Sequence, residues 1–380
     1  MSSQFPFALS DQCVRCGLCL PHCPTYQTQR REGEGPRGRI VLMEAIAASR
    51  LEYSPGAQEQ LDHCLGCGRC ETVCPAGVPY LAIRDAFRAE NLRWYQRLRL
   101  WLLADPKGLI WRRLGLALLR WAPARLSRSK HWLSLATNIA KHPAARAQRA
   151  KEPAQTAQSS ATLHLFQGCV APELDSRAQQ AVWRVLCSLP GHKVALSPRA
   201  CCGAMAKHAG HTTLAKKHAE EIGRHTAPLV TLDSGCLAAL GDAADNVFEA
   251  CQLVLQEWPD HWQPKLESTR VYLHTPCTHY SAGNTRAIHD LLSRIQGITL
   301  IPVRGHGCCG AGGTHLLDDP EHAAQFAQAI VNECNAGPGF LVSTNIGCRV
   351  HLRLHMNLRH DIEVRHPLEI LEDALQTPSS

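Results

Sequence analysis

Cys13-Val14-Arg15-Cys16-Gly17-Leu18-Cys19-Leu20-Pro21-His22-Cys23-Pro24 and Cys64-Leu65-Gly66-Cys67-Gly68-Arg69-Cys70-Glu71-Thr72-Val73-Cys74-Pro75 share one spacing, C-x2-C-x2-C-x3-C-P. Three cysteines at three-residue intervals let one loop wrap a single centre. The fourth lies beyond reach of that centre and points to a neighbouring one. The spacing therefore assigns one ligand set to Cys13, Cys16, Cys19 and Cys74, and another to Cys64, Cys67, Cys70 and Cys23. The closing proline removes an amide donor and ends the last turn, which suits a backbone crossing between two centres.

Structural zinc takes four ligands in a closed tetrahedron, usually from two C-x2-C pairs. It has no use for a third equally spaced cysteine, nor for the same run twice. The runs are read as two [4Fe–4S] clusters. Between them, Gly35-Pro36-Arg37-Gly38-Arg39 reads as a turn, and Ile40 to Leu51 as a helix with Ile40, Met43, Ala47 and Leu51 near helical spacing. Ser54-Pro55-Gly56 breaks it. So long a link predicts a helical two-cluster ferredoxin-type domain over residues 1–90. Arg37 and Arg39 are candidates for hydrogen bonds near cluster sulfurs or for a partner's acidic patch. The alternative is two surface arginines at a helix start.

A chain of 380 residues has room for two or three domains. Met1 to Ser10 has neither a basic start nor a long apolar stretch, so the nineteen cysteines are expected to be reduced thiols or metal ligands in the cytoplasm. The charge is uneven. Residues 91–150 hold thirteen Lys or Arg against one acid, Asp105, within a chain of net charge +7, so the remainder is net negative. Within 91–140, Trp94, Trp101, Trp111, Trp121 and Trp132 interleave with leucines and arginines, and Asp105-Pro106-Lys107-Gly108 splits the stretch into two helices. No apolar run reaches the ~20 residues needed to span a bilayer. The pattern fits helices lying in a membrane interface, on the inner face of the cytoplasmic membrane, or helices packed on the domain with basic faces outward. No nucleic-acid-binding motif accompanies the basic residues. Residues 141–161, rich in Ala, Gln, Ser and Lys, read as a linker.

From Thr162 onward the composition changes and a repeat appears. Strands are predicted at Thr162–Gln167, Lys193–Leu196 and Pro228–Leu232, running into Cys169, Cys201-Cys202-Gly203 and Cys236. They recur at Arg270–His274, Ile298–Val303 and Gly339–Ser343, running into Cys277, Cys308-Cys309-Gly310 and Cys348. Helices follow most of them, as at Ala215–Arg224 and Pro320–Ala336. Alternating strands and helices imply two parallel α/β modules, 162–265 and 266–380. Their cysteines fall at the carboxyl ends of strands, where ligands gather in such sheets. The whole is thus an α+β and α/β chain: a helical ferredoxin domain followed by a duplicated cysteine-rich domain.

Each module offers four soft thiols to a metal or cluster: Cys169, Cys201, Cys202 and Cys236, then Cys277, Cys308, Cys309 and Cys348. Side chains of adjacent cysteines are expected to diverge, which favours a cluster over one ion. The glycine after each pair allows close backbone approach. Free or redox-active thiols are the alternative. Cys187, Cys251 and Cys334 fall outside the pattern and are read as ordinary buried cysteines.

Taken together, the twin runs and the two Cys-Cys-Gly modules resemble the iron–sulfur subunits of glycolate oxidase. The likeness includes Cys23-Pro24-Thr25-Tyr26, Gly35-Pro36-Arg37-Gly38-Arg39, Cys70-Glu71-Thr72-Val73-Cys74-Pro75 and Thr344-Asn345-Ile346-Gly347-Cys348. The modules are similar also to parts of heterodisulfide reductases, anaerobic glycerol-3-phosphate dehydrogenase and lactate-utilisation proteins. The resemblance implies an electron-transfer subunit that accepts electrons from a FAD-bearing partner oxidising glycolate or D-lactate and passes them toward a membrane quinone. The substrate site would lie on that partner, since no G-x-G-x-x-G opens a helix after a strand here. One departure concerns the heterodisulfide reductase type, whose modules carry a fifth cysteine. Asp233 and Asn345 stand at those positions, leaving a four-cysteine cluster, oxygen ligation or zinc. The second reading is a thiol or heterodisulfide reductase with a module-bound cluster as reaction centre. The third is a non-enzymatic metal-binding scaffold.

Overall fold

The computed structural model describes residues 5–92, 161–224, 227–241, 246–281, 285–356 and 361–376, with single positions between 94 and 118. The first part is helical among the described residues. Short helices Phe7–Ser10, Pro24–Gln29 and Arg69–Thr72 surround three longer ones, Pro36–Ala47, Pro55–Asp62 and Tyr80–Glu90. Ile40, Met43, Leu61, Tyr80, Ile83 and Phe87 form their shared apolar core, against which Cys13, Cys19, Cys64 and Cys74 pack.

Three expectations need correcting. Gly35-Pro36 is not a turn. Gly35 precedes the helix in an extended conformation and Pro36 opens it, since proline has no amide to leave unsatisfied there. That helix stops at Ala47 rather than Leu51, because Ser49 turns left-handed (φ 56°) and the Arg50 and Leu51 amides fold back onto the Ala45 carbonyl. Pro24 likewise starts a helix instead of ending a turn.

The second part contains two four-stranded sheets with the same order and all strands parallel. In the first, β1 (Leu163–Phe166), β2 (Val194–Leu196), β3 (Leu229–Thr231) and β4 (Val247–Glu249) are arranged β2-β1-β3-β4. In the second, β5 (Lys265–His274), β6 (Gln296–Val303), β7 (Gly339–Val342) and β8 (Ile362–Arg365) repeat it as β6-β5-β7-β8. The sequence predicts three strands per module; β4 and β8 are additional edge strands. Val230, Leu165, Val271, Leu273 and Val342 bury their side chains in one core common to both sheets, with Val182, Leu186, Ile288 and Leu371 from the helices.

Buried polar contacts lock the modules together. Asp175, fully buried, meets both Arg349 and Arg353 at 2.6 Å. Burial opposes its ionisation, but the two guanidiniums outweigh burial and hold the carboxyl down at about 2. His366 donates from Nε2 to the Leu232 carbonyl across the junction while Nδ1 accepts the Leu368 amide. The ferredoxin part is bound to both modules. Arg88 donates to the His208 carbonyl of the first. The His63 ring stacks on His322 of the second, 4.0 Å apart and nearly parallel, and His63 also reaches Glu34 and Asp319.

The predicted amphipathic stretch 91–140 and linker 141–161 lie almost wholly outside the described residues. Of the positions described there, Trp94, Leu98, Trp111, Leu114 and Leu118 are helical and exposed, and Leu100 is buried. Among the described residues no helix is long and apolar enough to cross a membrane.

Candidate metal centres

The second cysteine run forms the better enclosed centre. Cys70 lies within electrostatic reach of Cys67, Cys64 and Cys23, and Cys67 feels Cys23 and Cys64. Cys23 is thus within electrostatic reach of Cys67 and Cys70 in the second run, and also of Cys19 in its own. In the first run Cys19 lies beside Cys13, Cys74 packs on the same core, and Cys16 is at the surface.

Charge around these thiols is informative. Burial and then neighbouring thiols push Cys67 and Cys70 up, so such a group ionises together only around cations. Burial acts on Cys64 too, but Arg39, Arg84 and Arg88 outweigh it and bring its thiol down to about 7. Arg39 is not the surface residue of one expectation. It is buried, donating to the Gln60 carbonyl, Thr25 Oγ1 and Glu34. Arg84 pairs with Asp85, yet its Nη1 is buried without a partner, as is Arg69 Nε. Among the described residues Arg88 donates to carbonyls: those of His208, Leu61, Asp62 and Cys64. A pocket of thiols ringed by buried guanidiniums, some with spare donors, fits an anionic iron–sulfur cube whose sulfides accept hydrogen bonds. Arg37 sits outside this ring. It pairs with Glu32, donates to the Arg15 carbonyl, and its own amide donates to the Cys19 sulfur.

The sequence alone does not single out Arg84, Arg88 or His208. The first two stand four apart on the helix that follows the second run, and that spacing is the available signal. His208 caps the same region. Burial first, then Arg84 and Arg88, hold it neutral, with its pKa down to about 3.

In the second module all four cysteines converge. Cys309 Sγ lies 2.9 Å from Cys348 Sγ, Cys277 hydrogen-bonds Cys308, and Cys308 hydrogen-bonds Cys309. The expected divergence of adjacent cysteines does not occur. Gly310, left-handed at φ 85°, folds the backbone so that both thiols face one site. A tetrathiol set of this form suits one ion as well as a cluster. In the first module Cys202 hydrogen-bonds Cys236, Cys169 lies beside Cys236, and Cys201 accepts the Gly203 amide as Cys308 accepts that of Gly310.

Asp233 and Asn345 are occupied elsewhere. Asp233 Oδ1 accepts the Gly235 amide at 2.7 Å and Oδ2 accepts the Ile346 amide of the other module at 2.6 Å. Asn345 Oδ1 accepts the Cys348 amide. These residues cap helices, and Asp233 joins the modules, so each of these oxygens already accepts one amide hydrogen bond. Of the remaining cysteines, Cys251 and Cys334 are buried as expected, but Cys187 is exposed at the end of its helix.

Two other groups of ligand-type side chains do not form metal sites. Glu34, His63 and His322 bring ligand atoms within 4.8 Å, but the stacked imidazoles aim their lone pairs in parallel planes. In the group Glu249, Cys251 and His366, both His366 nitrogens are already hydrogen-bonded.

The second cluster set and the second module adjoin. Cys67 is within electrostatic reach of Cys277, and Cys308 of Cys67, while Leu65, Phe326 and Cys308 pack together with Cys67 and Cys277 around them.

With this geometry in view, residues 9–78 match the family described as 4Fe-4S dicluster domain, and residues 163–241 and 271–353 each match the cysteine-rich domain. The glycolate oxidase iron–sulfur subunit of Escherichia coli (strain K12) is 31% identical, over 96% of this chain and 94% of that one. The chain belongs to the family of glycolate oxidase iron–sulfur subunits. A probable glycolate oxidase iron–sulfur subunit of Bacillus subtilis (strain 168) is 25% identical over 90% of this chain and 88% of that one. A subunit of the dihydromethanophenazine-dependent heterodisulfide reductase of Methanosarcina barkeri is also 25% identical, over 97% of this chain and 95% of that one. The family is one of iron–sulfur oxidoreductase subunits. The twin runs of this member are its dicluster domain, and its two sheets are the duplicated cysteine-rich domain.

Proposed function

We propose that this chain is the electron-transfer subunit of a flavoprotein 2-hydroxyacid dehydrogenase, with Cys13, Cys16, Cys19 and Cys74 holding one [4Fe–4S] cluster and Cys64, Cys67, Cys70 and Cys23 the other. When bound, these groups supply one-electron carriage between a FAD subunit that oxidises glycolate or D-lactate and a quinone acceptor. Everything else is the work of the chain. The observation that carries the reading is the packing of Cys67 and Cys277 around Leu65, Cys308 and Phe326, which supports a centre at the second run close to a second thiol-rich site. Leu65 and Phe326 keep water from that junction. Arg39, Arg84 and Arg88 supply fixed positive charge at the buried centre, and His208, held neutral, adds none. The four thiols of each module hold a further cluster or a zinc ion. The exposed, helical Trp111, Leu114 and Leu118 support contact with a membrane surface where a quinone is reached.

The test uses the complex with its flavoprotein. Adding glycolate or D-lactate anaerobically should bleach the iron–sulfur absorbance of this chain. Cys67→Ser should lose one cluster's EPR signal and the bleaching while retaining the flavoprotein. Substrate that leaves the clusters oxidised would reject the reading. The similarity to the heterodisulfide reductase of Methanosarcina barkeri favours a second reading, reduction of a disulfide at a module site. The capping roles of Asp233 and Asn345 oppose it, and disulfide reduction with a viologen donor would restore it.

A further inference from the structure

The two cysteine loops are equivalent in sequence but not in surroundings. Aligned on the motif, Val14 matches Leu65, Cys16 matches Cys67, and Leu18 matches Arg69. Leu65 is 3% exposed because it packs with Phe326 and Cys308 of the second module. Arg69 lies over the Tyr280 ring at 5.0 Å and donates to the Gly307 carbonyl. The second loop is therefore docked, through one aliphatic side chain and one long one, on a domain that carries its own thiol site. The first loop offers the matching side chains to water: Val14 is 71% exposed and Leu18 57%, on either side of the exposed Cys16.

This bare loop is held in shape. Gly17 takes φ 86°, and the Leu20 amide returns to the Gly17 carbonyl. Below it, Arg37 donates to the Arg15 carbonyl at 3.0 Å and is itself fixed by Glu32. Two apolar side chains on a rigid loop lose little freedom on binding, which is what a docking face needs.

We infer that the loop Cys13–Cys19 is the docking face for the flavin-bearing subunit, whose complementary surface would receive Val14 and Leu18 as Phe326 receives Leu65. The inference rests on the proposed function for the identity of the occupant. The end of the row beside Cys67 is already covered by the chain's own second module, so among the described residues the first loop is the end left open to a redox partner. An apolar face centred on an exposed ligand suits a protein that must bring its cofactor close, and does not suit a freely diffusing small donor.

The experiment compares the wild-type complex with a Val14→Glu, Leu18→Glu double variant and with Phe248→Glu, which alters an exposed apolar residue on β4 of the first module. Iron content, EPR signals and reduction by dithionite are expected to match wild type in both, showing intact centres. Substrate-driven reduction through the flavoprotein should fall about tenfold or more in the double variant, with weakened co-purification, and remain unchanged in Phe248→Glu. Equal rates and retention in the double variant would overturn the docking face while leaving the proposed function standing. A wild-type complex that substrate does not reduce would instead overturn the proposed function, and the inference with it.

Discussion

Arg88 shows how much of a redox centre can reside in residues that bind nothing. It is half-buried, near Cys64, and among the described residues its hydrogen bonds go to carbonyls rather than to a carboxylate. Its charge is therefore directed at the centre beside it, where it favours the more negative, reduced state. Arg88→Met should lower the midpoint potential of the Cys64-bound cluster by about 60 mV, roughly tenfold in a one-electron equilibrium. Arg88→Lys should recover part of that shift. An EPR-monitored titration in which Arg88→Met matches wild type would remove Arg88 from the account. The two cysteine runs are legible in the sequence as proposed ligand sets, because a three-residue repeat of thiols leaves few alternatives. The arginines are not, since on a helix the same spacing usually makes an exposed charged face. Burial alone distinguishes the two, and burial depends on contacts distant in sequence.

Among the elements, the Cys-Cys-Gly turn is the one that the modules share most closely. Gly203 and Gly310 have φ of 84° and 85°, and an added Cβ would sit 2.7 Å from the Ala215 carbonyl and 2.5 Å from that of Ala323. The close approach expected of these glycines is thus to the module's own helix, not to a ligand. Gly310→Ala should misplace Cys308 and Cys309 through the strain of a left-handed residue, about 1–2 kcal/mol, and the clash. Metal analysis is expected to show loss of the second-module metal with the ferredoxin irons retained; unchanged metal content would refute this role. Six strands of the two sheets are legible as apolar runs ending at cysteines. β4 and β8 are not: they are short edge strands, and Ile362–Arg365 alternates apolar and charged residues as an exposed segment also does. Helix Pro36–Ala47 is displaced from its expected span because glycine and proline side by side usually mark a turn, and here they mark a helix start.

At the scale of the molecule, stability rests on buried charge held between parts. Asp175→Asn would leave Arg349 and Arg353 buried with less compensation, and breaking such a pair costs about 3–5 kcal/mol. Urea unfolding of the variant should show that loss; a change under about 1 kcal/mol would contradict it. Acid should act through the histidines. Burial depresses His208 to about 3 and His274 to about 4, so between about pH 6.5 and 4 the unfolded chain binds protons that the folded one refuses. Stability then falls as pH falls through that window, by up to ~1.4 kcal/mol per pH unit for each such histidine. Unfolding free energies that stay level from pH 7 to pH 5 would argue against neutral burial. The molecule as a whole is legible as three parts in a row; the packing of Cys67 and Cys277 around Leu65, Cys308 and Phe326 is not, because nothing in the motif says which module a cysteine loop will face.

The cross-ligated pair of clusters is the claim on which the rest depends, and anaerobic iron analysis of the whole chain, paired with Cys23→Ser, tests it most directly. The account predicts at least about eight irons in the wild type, four for each cube, with loss of the Cys64-type cluster in Cys23→Ser although Cys23 belongs to the first run. Four irons or fewer in the wild type, or a Cys23→Ser variant that loses the other cluster instead, would contradict it.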